Sequence, residues 1–185
     1  MAPGPVDATA VPIVFPSASS AFESGIRACE AVYAGILRGE KSDPGKPGPF
    51  SQRGFYMSGA GDEAKVNMLM PAAQAHVYKG TIKDKAGVVY IVFSVSPLAC
   101  RVGSFDAPDS EAGALKRLAE PSSGWVAQPT ASPSPAAKMQ RFQKRLPGAL
   151  ATLNLSWPAV RGTGPNGLAA MATMVVGKEA AAPIR

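Results

Sequence analysis

The residues able to do chemistry are few: one histidine (His76), two cysteines (Cys29 and Cys100), and small groups of carboxylates and cations. A serine or cysteine hydrolase of the usual kind needs a histidine base beside its nucleophile, so His76 would have to fill that role. No G-x-S-x-G turn is available to present a serine. His76 itself falls in a run that reads as a strand, where a partly exposed structural residue is the simpler account. One histidine and two cysteines also fall short of the four ligands of a structural zinc site. Asp106, Asp109 and Glu111 crowd together next to an expected helix start. They lack the D-x-D-x-D-G order of a calcium loop, and acids at a helix N-terminus stabilise the helix dipole. No metal, cofactor or catalytic residue is expected.

Two further patterns carry chemistry by their letters. Gly162-Thr163-Gly164-Pro165-Asn166-Gly167 spells G-x-G-x-x-G. A dinucleotide site needs that pattern to open a helix, followed by a second strand and an acid about 20 positions on. Here Pro-Asn-Gly is ordinary turn punctuation, and Glu179, the one acid that follows, comes too early. The second pattern is Lys138 to Arg145, a basic run with Phe142 embedded in it. Lys138, Arg141, Lys144 and Arg145 are the candidate anion contacts, able to meet phosphate while Phe142 stacks or buries. The simpler account is a solvated basic face over a small apolar stripe. Phe55, Tyr56, Trp125 and Trp157 read as core rather than a recognition surface.

The elements that must position these residues are legible in part. Ser20 stands three before Glu23, a capping box, and Phe22, Ile26, Cys29, Tyr33, Ile36 and Leu37 then recur at helical spacing. Gly39 reads as the helix stop, and Pro44, Pro47 and Pro49 prevent continuation. Gly54-Phe55-Tyr56 can begin a strand, and Ser58 to Gly61 is a turn. Ala75–Ile82, Val88–Val95 and Leu98–Phe105 read as three strands, with a turn at Lys83 to Gly87 and an interruption at Pro97. Asp109 or Ser110 can cap a second helix running to Ala119, which Pro121 ends. Residues 129–137 form a Pro/Ser-rich linker. Met139, Phe142 and Leu146 fit either a short helix or an edge strand. Leu150–Trp157 and Leu168–Val176 are strands joined by the Pro165–Gly167 turn. Segregated helices and strands predict an α+β fold: an antiparallel sheet with two main helices on one face. The order helix, strands, helix, strands hints at two similar halves.

A chain of 185 residues with 46% apolar and 17% charged residues can bury a core and suits one domain, here 19–177 between a leader (1–18) and a frayed tail (178–185). No apolar stretch approaches the roughly 20 residues of a membrane helix. The net charge of +6 favours anionic partners, yet the cations are scattered along the chain. A Cys29–Cys100 disulfide would close a loop of about 70 residues and belongs in an oxidising compartment. Met1 to Ser20 has no Lys or Arg and no continuous apolar stretch, so it is not an intact signal peptide, but it reads like the start of a mature exported chain. The leading expectation is a periplasmic or secreted non-catalytic binding module whose partner is a protein or small molecule. The alternatives are a basic cytoplasmic protein contacting nucleic acid through 138–145 and a carboxylate-based hydrolase.

Overall fold

A computed structural model describes residues 11–41, 48–58, 63–69, 75–83, 86–95 and 98–178. The expected turns at 59–61 and 84–85, Pro97, residues 1–10 of the leader and the tail from 179 lie outside the described residues. The first helix, α1 (Ala18–Leu37), starts earlier than its expected capping box. Ser17 is the N-cap: its Oγ accepts from the Ser20 amide at 3.2 Å, and Ser20 Oγ accepts from the Ser17 amide at 3.4 Å. Serine thus fills both positions of the box, and Glu23 instead pairs with Arg27 and Arg117. Gly39 follows the C-cap at φ +74, a conformation glycine adopts without penalty.

Nine strands build one sheet: β1 (Val14–Phe15), β2 (Phe55–Met57), β3 (His76–Ile82), β4 (Val88–Val95), β5 (Leu98–Phe105), β6 (Val126–Gln128), β7 (Ala137–Leu146), β8 (Ala149–Pro158) and β9 (Leu168–Lys178). The lateral order is β1-β3-β4-β5-β9-β8-β7-β6, with β2 also on β3. Every pairing is antiparallel except β1 with β3, so the sheet is mixed at that edge rather than wholly antiparallel. The expected pairing of Leu150–Trp157 with Leu168–Val176 is β8 with β9. Their connection is the Pro165–Gly167 turn, with Asn166 and Gly167 at positive φ. Residues 137–146, open between helix and strand in the sequence, are β7.

The alternation of apolar residues separates two faces. Val89, Ile91 and Phe93 of β4, Cys100 and Val102 of β5, Leu153 and Leu155 of β8, and Ala172 and Met174 of β9 form one core with α1 and the second long helix. That helix, α3 (Glu111–Ala119), buries Ala114 and Leu118 against α1 and the sheet. Gly25 lets α1 approach closely, since a Cβ there would sit 2.7 Å from Val102 Cγ1. Each half is thus a helix with a three-stranded meander: α1 with β3–β5, and α3 with β7–β9. The two third strands, β5 and β9, pair at the centre. A short helix missed in the sequence, α2 (Glu63–Leu69), covers part of the other face. Leu69 joins Tyr90, Val92 and Phe105 in a separate small core, above Gly103, whose missing Cβ makes room for it.

Three polar devices tie the long helices to the sheet. Cys29 of α1 and Cys100 of β5 form a disulfide with their Cα atoms 5.9 Å apart, and both residues are buried. Tyr33 donates its hydroxyl to the Met174 carbonyl at 3.4 Å, and burial pushes its phenol well above the usual tyrosine range. Glu30 gathers cations from the second half: it pairs with Lys144 of β7, accepts from Arg117 of α3 at 3.2 Å, and accepts from Trp125 Nε1 at 3.1 Å.

Candidate functional site

Strand alternation decides what each candidate residue faces. Across β7 and β8, Phe142 stands opposite Leu153 and Lys144 opposite Ala151, so both point toward the helices. Phe142 is buried in the core, and Lys144 donates to Glu30 and, at 2.8 Å, to the Ser123 carbonyl. Lys138, opposite Trp157, shares that face. Arg141 and Arg145 project from the other side. The four candidate anion contacts therefore do not make one patch, and Phe142 is not available to stack on a base.

The face turned away from α1 and α3 shows a different grouping. Beyond α2, the registers place Arg101 (β5), Thr173 (β9), Asn154 (β8) and Arg141 (β7) side by side in one lateral row. Gln128 of β6 continues it beyond Arg141. Three strand spacings of about 4.8 Å put the two arginine Cα atoms about 14 Å apart. Arg141 leans along the row, its Nε donating to Asn154 Oδ1 at 2.9 Å. The flanking rows hold Met171, Ser156 and Met139 on one side and Val175, Thr152 and Gln143 on the other.

Arg101 gives the row its chemistry. Its Nε is buried without a hydrogen-bond partner, and so is Ser94 Oγ. Ser94 pairs with Ala99, two residues from Arg101, so the two are diagonal neighbours on the same face. Buried polar atoms in folded proteins are overwhelmingly paired, with protein groups or with ordered water, so the Nε is a donor open to an acceptor. A carboxylate or other oxyanion is the acceptor that matches a guanidinium best. The place of Arg101 in the row depends on strand registers, which no local pattern in the sequence reveals.

The other expected sites are dispersed. His76 is exposed at the start of β3, and its side chain has no hydrogen-bond partner among the described residues. Asp106 pairs with Lys65 of α2 at 2.8 Å, and Asp109 pairs with Arg161 of the β8–β9 turn. Asp109 and Glu111 do line one small cleft. Glycoside chemistry uses two carboxylates, and Arg161 engages one of these. Among the described residues no group of three or more His, Cys, Asp or Glu residues is arranged to hold a metal ion. Phe55 and Trp125 are core, Trp157 is half-buried, and Tyr56 is at the surface, its hydroxyl accepting from the Ile13 amide. Comparison with protein-family models, curated proteins and solved structures finds no match, so the functional argument rests on this geometry.

Proposed function

We propose that this chain is a binding domain of an oxidising, extracytoplasmic compartment that takes an acidic segment of a partner protein across the open face of its sheet. The observation that carries the reading is the Arg101–Thr173–Asn154–Arg141 row, with an orphaned donor at one end. Two guanidinium groups with hydroxyl and amide groups between them match an extended peptide carrying carboxylates at intervals. Arginine suits this role because its planar fork pairs with a carboxylate through two hydrogen bonds. The row spans four strands, which fits a length of polypeptide better than a single small anion. The net charge of +6 adds long-range attraction for such a partner. The buried Cys29–Cys100 disulfide supports the compartment. The nucleic-acid reading loses its main support, since β7 divides the basic run between two faces and the core takes Phe142.

The test is binding of a fluorescent oligoglutamate peptide, followed by anisotropy, to the full chain and to the Arg101→Gln/Arg141→Gln variant. Saturable binding that weakens with salt and is lost in the variant, but not in Lys79→Gln, supports the proposal. Equal binding by wild type and variant overturns it. So does tighter binding of single-stranded DNA than of the peptide.

A further inference from the structure

A small cleft opens on the helix side of the sheet, away from the arginine row, where the start of β7, the end of β8 and the first turn of α3 meet. Its volume is about 190 Å³, and its lining includes Asp109, Glu111, Lys138, Trp157 and Arg161. Asp109 and Arg161 pair with each other. The side chains of Lys138, exposed, and Glu111, half-buried, make no ion pair or hydrogen bond with any described residue. Lys138 stands directly opposite the half-buried Trp157 across the β7–β8 ladder, and both line the cleft. The cleft therefore offers one unengaged cation, one unengaged anion and an apolar wall. Its four charged side chains sum to zero.

The matching ligand carries the same three features reversed: a carboxylate for Lys138, an ammonium for Glu111 and a short apolar group for Trp157. We infer that this cleft binds a free α-amino acid with a small aliphatic side chain. A ligand with only one charged end would engage Lys138 or Glu111 but not both, and would gain only that part of the interaction. Size sets the same limit. The cleft is below the roughly 300–1,000 Å³ of drug-sized sites, and at about 30 Å³ per water it holds about six waters. That is the space of an alanine or valine.

Isothermal titration calorimetry on the full chain, with its disulfide intact, tests the inference using L-alanine and L-valine as probes and acetate and propylamine as half-ligands. The amino acids should bind saturably, and each half-ligand should bind at least about tenfold more weakly. Lys138→Met and Glu111→Gln should each weaken amino-acid binding by about tenfold or more, and Lys138→Arg should retain most of it, all with unchanged circular dichroism. No saturable heat with either amino acid through the millimolar range overturns the inference. Acetate binding as tightly as alanine also overturns it, by reducing the cleft to an anion site at Lys138. Undiminished binding in Lys138→Met places the ligand elsewhere and overturns it as well. Arg101 and Arg141 lie on the other face, so either proposal can fail without the other.

Discussion

Replacing Glu30 with glutamine should cost the fold far more than a surface charge change would. Glu30 sits on α1, yet all its partners, Lys144, Arg117 and Trp125, come from the second half. The Glu30, Arg117 and Lys144 side chains keep only 16%, 16% and 23% of their exposure. An exposed pair contributes about 0.2–1 kcal/mol, while breaking a buried one costs about 3–5 kcal/mol because the remaining charge is stranded. Residual solvent access places Glu30→Gln between these, at about 2–3 kcal/mol. The glutamine still accepts from Trp125 Nε1, so the loss is mainly the charge on two cations. If stranded charge is the cause, Lys144→Met in the Glu30→Gln background should restore at least about 1 kcal/mol relative to additivity. Urea unfolding of the two single variants and the double variant measures this. A Glu30→Gln effect below about 0.5 kcal/mol, the level of an ordinary surface substitution, or strict additivity in the double variant, would refute the reasoning.

Two further outcomes follow from the helix–sheet junction. Cys29→Ala/Cys100→Ala should lower stability by about 4 kcal/mol, the chain-entropy value for a cross-link of this span, the separation being 71 residues; a loss under about 1 kcal/mol by urea unfolding would show that the bridge constrains little. Tyr33 is held as the neutral phenol by burial, so its stabilisation is present below the unfolded value of 10.0 and is lost as the pH rises beyond it. Stability should then fall by about 1.4 kcal/mol per pH unit for this group, and Tyr33→Phe should flatten that slope. Phenolate absorbance assignable to Tyr33, appearing while circular dichroism is still native, would contradict this.

The elements with strong local signals were legible from sequence. The periodic face from Phe22 to Tyr33, the β-branched run Val88–Val95 and the Pro165–Gly167 turn each sit where their spacing indicates, and the Cys29–Cys100 pairing follows from a helix laid on that sheet. Short or long-range features were not legible. Val14–Phe15 is too brief to show alternation, and its strand exists only because β3 offers an edge. α2 has a single fully buried residue, Leu69, so no periodicity announces it. In β7, Lys138, Gln140, Phe142, Lys144 and Leu146 share one face, but only Phe142 and Leu146 are apolar there. The period-2 signal is weak because Lys144 reaches an acid on α1. The arginine row belongs to the same class: alternation shows that Arg101, Asn154 and Arg141 oppose the core, and only the registers of three ladders bring them together.

The sheet order has a consequence for how the chain must assemble. β9, the last of the described strands, lies in the middle, hydrogen-bonded to β5 on one side and β8 on the other. A polypeptide released N-terminus first, whether from a ribosome or through a secretion pore, forms the β3–β5 meander and the β7–β8 hairpin as two separate pieces. Each then has a bare strand on its inner flank, and such flanks invite pairing with other chains. β9, which emerges after both, joins them. The central seam of the sheet can therefore close only once β9 is available, and until then both flanks stay exposed to other chains.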